Sequence, residues 1–236
     1  MFVHSAPFYD AIYAWKDYAE EARRLKALLA ERQRIPGRRT LLDVACGTAA
    51  HAPYLRDDYA YEGLDLDRQM LALAQQRFPD LPFHQGDMLD FDLGRQFDVV
   101  TCLFSSIAYA KTPKRLEQAT ATMARHVRPG GLLVIEPFVG PQDWQEGRPT
   151  ATFVDRDDLK IARMSVGARE GDAAILDFEY LIATSAGIER LSERHELGLF
   201  TDAQYQHAFR AVGFAVTRDA EGLMGRSLYL GARPLA

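Results

Sequence analysis

Between Asp17 and Arg34 the apolar residues Ala22, Leu25, Leu28 and Leu29 recur at helical spacing among arginines and glutamates, and Pro36-Gly37 follows as a stop. The spacing predicts an amphipathic helix. The run Thr40 to Cys46 is short and largely apolar, it ends in the turn Cys46-Gly47-Thr48, and a helix is expected to start within Ala49 to Arg56. Strand, glycine turn and helix make a first Rossmann-like unit. The alternation continues with strands at Tyr61 to Leu66, Pro82 to Gln85, Phe97 to Phe104 and Leu132 to Pro137. Helices fall between them at Arg68 to Phe78 and Pro113 to Val127, the second closed by Pro129-Gly130. Strands alternating with helices predict an α/β fold, a parallel sheet with helices on both faces.

After Pro137 the period changes. Thr150 to Phe200 holds three strand-like stretches, Ile161 to Ala168, Ala174 to Ala183 and Ile188 to Leu199, with no strong helix between them. They predict an antiparallel β insertion. A last helix, Thr201 to Ala211 with Thr201 as N-cap, stops at Gly213, and Phe214 to Asp219 and Leu228 to Ala232 read as closing strands. The expected organisation is one domain over 1–236: a helical N-terminal segment 1–39, a core 40–137, the insertion 150–200 and a closing helix and strands 201–236.

Composition narrows the function classes. Hydrophobic residues make up 47% and charged residues 26%, as in a globular domain, and no repeat or low-complexity tract interrupts them. A net charge of -5 gives no broad cationic footprint, which argues against nucleic acid or an anionic membrane as partner. Cys46 and Cys102 sit in apolar runs and read as reduced, buried thiols. Met1 to Trp15 lacks the basic-then-apolar pattern of a secretory signal, and no window supplies a membrane span, so the cytoplasm is the expected compartment.

The strongest chemical signal is Leu41-Leu42-Asp43-Val44-Ala45-Cys46-Gly47-Thr48, an acid near a strand end followed by a small-residue turn. Gly47 has no Cβ to hold a ligand off the backbone. Asp65 lies 22 residues beyond Asp43, at the next strand end, where a carboxylate can accept both hydroxyls of a ribose. The turn is shorter than a G-x-G-x-x-G and offers too few amides for a pyrophosphate, so a nucleoside without phosphates fits better than NAD. Gly86-Asp87-Met88 follows the third strand.

At these residues the chain resembles the class I methyltransferases, whose cofactor, S-adenosylmethionine, leaves as S-adenosylhomocysteine. The resemblance implies that Asp87 accepts from the adenine amino group and Met88 packs on the ring, and Ala49 stands where those enzymes usually carry glycine. It extends over nearly the whole chain to the nucleotide-sugar N,N-dimethyltransferases that finish deoxyaminosugars such as desosamine and mycaminose. The segments that carry it are Lys16-Asp17-Tyr18-Ala19 with Glu21-Ala22, Asp43 to Thr48 with His51, His84 to Met88, Phe104-Ser105-Ser106, Glu136-Pro137, Arg169-Glu170-Gly171, Leu199-Phe200 and Gly225-Arg226. It implies cofactor contacts from Tyr18, Asp43, Ala45, Cys46, Gly47, His51, Asp65, Leu66, Met70, Asp87, Met88 and Phe104, and suggests a homodimer.

For the acceptor end the candidates are Tyr13 and Tyr109, whose phenols can hold or deprotonate an ammonium or simply pack over the cofactor. His195, matching a histidine of the resembling enzymes, lines the sugar pocket or serves the core. Arg169 and Arg226 are candidates for a diphosphate, because guanidinium binds phosphate oxygens bidentately. Tyr180 is a candidate for a base or diphosphate contact, or a core aromatic. Methyl transfer to a neutral amine needs no strong base, whereas an alcohol needs a base or metal. The six histidines, His4, His51, His84, His126, His195 and His207, show no metal-ligand spacing, so no metal is expected and an amine is favoured. The number of methyl groups stays open. Two rival readings remain: methylation of another small amine or hydroxyl such as an amino acid or natural product, and a non-catalytic protein that binds S-adenosylmethionine.

Overall fold

The computed structural model describes residues 5–32 and 39–235. A 3-10 turn at Ala6–Phe8 leads into α1 (Tyr9–Ile12) and α2 (Tyr18–Arg32). The stop at Pro36-Gly37 and His4 lie outside the described residues. Helix α2 buries the stripe Ala22, Leu25, Leu28 and Leu29 that its spacing predicts. Each fully buried leucine contributes roughly 1.5–3 kcal/mol.

Next come β1 (Arg39–Val44), α3 (Ala52–Leu55), β2 (Tyr59–Asp65), α4 (Arg68–Arg77), β3 (Phe83–Gln85) and β4 (Phe97–Cys102). A 3-10 turn at Ser106–Ala110 precedes α5 (Pro113–Arg125) and β5 (Val127–Ile135). The antiparallel strands β6 (Pro149–Asp155), β7 (Lys160–Glu170), β8 (Ala173–Thr184) and β9 (Gly187–Gly198) follow, then α6 (Asp202–Ala211), β10 (Ala215–Asp219) and β11 (Leu228–Ala232).

The main sheet runs β10-β11-β5-β4-β1-β2-β3. It is parallel except at β11, which is antiparallel to both β5 and β10. Strand order reverses where β1 lies between β2 and β4, and in such sheets ligands bind outside the carboxyl ends at the reversal. Asp43 pairs with Gly63 on one side and Thr101 on the other, so the ends of β1, β2 and β4 share one edge. Leu41, Leu42, Val99 and Val100 have no exposed surface, as strands covered on both faces require. The second sheet runs β6-β7-β8-β9.

A helix starts within Ala49 to Arg56 as expected, at Ala52, once the left-handed residues Ala45, Gly47 and Ala49 are passed, and it runs one turn to Leu55. Two expectations are corrected. Pro129-Gly130 lies inside β5, after a register shift between Phe97 and Val99 that accommodates an irregular start to the strand. The insertion has a fourth strand, β6, which went unread because an exposed edge strand needs no apolar alternation. In addition, Cys102 is buried as expected while Cys46 is half-buried at the turn. No helix among the described residues is long and apolar enough to cross a membrane.

Candidate active site

The turn after β1 has positive φ at Ala45 (58°), Gly47 (57°) and Ala49 (57°). A Cβ built on Gly47 would meet nothing within 4 Å, so this stretch of backbone borders open space. Gly63 serves packing instead, since a Cβ there would stand 2.7 Å from Cys46 Sγ and from the Phe83 ring. The Gly47 N–H donates to Asp65 Oδ2 at 2.8 Å and the Asp67 N–H donates to Asp65 Oδ1 at 2.8 Å. Burial pushes the Asp65 carboxyl above its usual range, and these two N–H groups partly restore it.

Asp43 lies deeper. Its Oδ2 accepts from Tyr61 Oη at 2.9 Å and its Oδ1 from Thr101 Oγ1 at 2.8 Å, and burial raises its carboxyl too. Asp67 caps α4 by accepting from the N–H groups of Gln69 and Met70, which aims Met70 at the site. Asp87 Oδ1 accepts from the Leu89 N–H at 3.0 Å, and Met88 packs on the core.

These residues line a cavity of about 430 Å³ that includes Gly47, Asp65, Leu66, Met70, Asp87, Met88, Tyr9 and Tyr109. A smaller hollow of about 30 Å³ adjoins it, between Tyr18, Asp43, His51 and Phe104. The donor set fits a nucleoside cofactor: carboxylates at two strand ends offer acceptors to ribose and adenine, and an unobstructed glycine backbone borders the space.

Beside the smaller hollow the chain is strained. Phe104 (φ 51°) and Ser105 (φ 63°) are left-handed without being glycine. Glu136, fully buried, holds them by accepting the Phe104 N–H at 2.6 Å, while Ser105 Oγ donates to the Pro137 carbonyl at 2.9 Å. The other Glu136 oxygen faces Arg226 Nη2 at 3.6 Å. Burial raises the Glu136 carboxyl and Arg226 counters it. Lys16 donates to Glu21 at 2.6 Å and lies 3.8 Å from the Phe104 ring centroid, and His51 Nε2 meets Glu21 at 2.9 Å. Residues 16, 18, 51, 104, 136 and 226, scattered along the chain, form one cluster behind the cofactor end, with Lys16, His51 and Glu136 buried and Tyr18, Phe104 and Arg226 half-buried.

On the larger cavity Tyr109, the candidate for the acceptor end, places its Oη 2.6 Å from His195 Nδ1. Burial raises the Tyr109 phenol far above its ordinary range and lowers His195, which Glu193 partly restores. Phe178 meets the His195 ring edge-to-face at 5.2 Å. Tyr13 packs edge-to-face on Phe104 at 5.2 Å, and its hydroxyl accepts from Arg163 Nη1 at 3.0 Å.

Every residue predicted to contact the cofactor borders one of the two hollows. Tyr109 lines the larger one with His195 behind it, and Tyr13 stands beside Phe104. Tyr180 is 1% exposed and takes the core alternative, packed with Ile12 and Ile182, its hydroxyl donating to Glu193 Oε2 at 3.3 Å. Arg169 and Arg226 are not brought together. Arg169 Nε donates to the Gly171 carbonyl at the turn between β7 and β8, and Arg226 faces Glu136. Sequence reading missed Tyr9, Arg163 and Glu193. Arg163 and Glu193 carried a signal, as charged residues at inward positions of alternating strands, and Tyr9 lies one helical turn before Tyr13.

A methyltransferase domain model matches residues 41–131. The chain is 40% identical over 233 residues to dTDP-3-amino-3,4,6-trideoxy-alpha-D-glucopyranose N,N-dimethyltransferase of Streptomyces venezuelae, covering 97% of this chain and 98% of that one. It is 41% identical over 230 residues to dTDP-3-amino-3,6-dideoxy-alpha-D-glucopyranose N,N-dimethyltransferase of Streptomyces fradiae, covering 96% and 89%. The crystal structure of Streptomyces venezuelae DesVI matches with a TM-score of 0.90 at 39% identity, over 98% of this chain and 99% of that one. An amino pentose methyltransferase of Micromonospora echinaspora, solved with S-adenosylmethionine bound, matches with a TM-score of 0.85 at 35% identity, over 95% and 96%. With the cradle described above, these matches show that the chain belongs to the dTDP-aminosugar N,N-dimethyltransferase family of class I S-adenosylmethionine-dependent methyltransferases.

Proposed function

We propose that this enzyme methylates the amino nitrogen of a nucleotide-linked deoxyaminosugar. The observation that carries the reading is one cavity lined both by Asp65 and Asp87 and by Tyr109, which is backed by His195. S-adenosylmethionine, when bound, supplies an electrophilic methyl group on a sulfonium. Asp65 accepts the ribose hydroxyls, Asp87 the adenine amino group, and Met70 and Met88 pack on the ring. Tyr13 and Tyr109 orient the amine, and holding nitrogen, methyl and sulfur in line supplies most of the acceleration.

Arg169 and Arg226 do not line the larger cavity, and the cations that do, Lys111, Arg115 and Arg194, are the candidates for a diphosphate, Arg194 by exchanging its pairing with Glu170 and Asp177. Lys111 pairs with Glu196 at 2.6 Å, an ion pair a diphosphate can exchange. Incubation with S-adenosylmethionine and nucleotide-linked aminosugars, followed by mass, tests the reading. Product methylated on nitrogen supports it, and binding of cofactor without turnover sinks it. Arg115→Ala and Arg194→Ala that leave KM unchanged would favour a small amine without a nucleotide.

The outer face of the insertion supports a homodimer. Phe153 (66% exposed), Met164 (51%), Val166 (58%) and Leu181 (55%) lie on one face by register, an apolar patch suited to a second copy of itself. A monomeric mass by light scattering would remove this reading. A reducing cytoplasm suits the two free cysteines.

A further inference from the structure

We propose that Tyr109, His195 and Glu193 form a proton relay that clears the acceptor nitrogen between methyl transfers. The proposal rests on the N-methylation reading above. A nitrogen that has received a methyl group is an ammonium without a lone pair, and it cannot accept a second methyl until one N–H proton is gone.

The geometry supplies the route. The tautomer with its proton on Nε2 points that N–H toward Glu193 Oε2, 3.6 Å away, an electrostatic approach longer than a hydrogen bond. Nδ1 then presents its lone pair to the Tyr109 hydroxyl at 2.6 Å. Glu193 is itself fixed, its Oε1 accepting from the Ser5 N–H at 2.9 Å and its Oε2 from Ser5 Oγ at 2.6 Å and Tyr180 Oη at 3.3 Å. Glu193 and His195 are two residues apart on β9, so both side chains point inward from the same face.

In the step, the ammonium proton passes to the phenolic oxygen of Tyr109 as the Tyr109 proton passes to His195 Nδ1. The nitrogen regains its lone pair, the phenol ends as it began, and the imidazole becomes imidazolium beside the Glu193 carboxylate. The reverse transfer to water entering the cavity after product release resets the chain. Tyr109, held protonated by burial, cannot act as a phenolate base, which is why its partner matters. His195, kept neutral by burial, is ready to accept. Besides Glu193, the charged and titratable groups around the pair include Arg163 from β7, which disfavours the imidazolium, Tyr180 from β8, Tyr9 and Tyr13 from the N-terminal segment and Asp65 from β2.

The test compares the wild type with Tyr109→Phe, His195→Gln and Glu193→Gln. Monomethyl and dimethyl products are followed against pH, with cofactor affinity measured by calorimetry as a check on folding. His195→Gln is expected to bind cofactor normally, to slow the second methyl transfer by about 100-fold more than the first, and to lose the acid limb of the pH profile. Glu193→Gln is expected to move that limb to lower pH, because the imidazolium loses its counter-charge. Tyr109→Phe should match His195→Gln. Variants that bind cofactor yet keep the wild-type product ratio and acid limb would overturn the relay while leaving N-methylation intact. Wild-type enzyme that methylates no nucleotide-linked aminosugar would overturn the reading beneath it.

Discussion

The two ends of the cavity are built by opposite means. The cofactor end is made from neighbours in sequence, the turn after β1 and the ends of β2 and β3, with Asp65 and Asp87 fixed by backbone N–H groups. The acceptor end is made from side chains that meet across the whole chain. Ser5 and Glu193 are 188 residues apart, Tyr13 and Arg163 150, and Tyr109 and His195 86.

Glu136, in the cluster behind the cofactor end, holds both the strained Phe104 turn and Arg226, so its loss is expected to have the largest effect. Glu136→Ala leaves the strained Phe104 turn without its acceptor and Arg226 facing no carboxylate, and should destabilise the fold by about 3–5 kcal/mol in urea unfolding. Glu136→Gln, which keeps an acceptor, should lose clearly less. Asp65→Ala strikes chiefly the cofactor end. It should weaken S-adenosylmethionine binding by about 100-fold in calorimetry, since a charged acceptor is worth roughly 1.5–3 kcal/mol, and an equal loss from Tyr109→Phe would erase the distinction between the ends.

A smaller effect separates the ends by pH. His195 is lowered in the fold, so it stabilises fully above the ordinary histidine value of 6.5, and that contribution is lost as pH falls through the window down to its lowered folded value. Urea midpoints should decline across this window in the wild type and decline less in His195→Gln. The smallest effect is at Ala49, fully buried and left-handed at φ 57°. Ala49→Gly relieves that strain and gives up one methyl, a net gain of under about 1 kcal/mol by thermal unfolding.

The same contrast explains what was legible in the sequence. Strand, turn and helix signals placed β1 to β5 and brought Asp65 to the cavity because each was local: a glycine turn, an acid at a strand end, a capped helix. Thr201 was readable as a cap because its partner, Gln204, lies three residues on. The strand β6 was not, since its residues are mostly exposed. Arg226 looked like a diphosphate ligand because nothing near it in sequence shows that Glu136 awaits it. The environments of His195 and Tyr180 depended on Glu193 and the N-terminal segment, contacts that only the folded chain creates.

Whether the cavity joins a cofactor cradle to a site that methylates an amine is measured directly by the product mass after incubation with S-adenosylmethionine and a nucleotide-linked deoxyaminosugar. Methyl groups are expected on the sugar nitrogen, with a second addition that depends on His195. Tight cofactor binding with every such sugar returned unmethylated would contradict it.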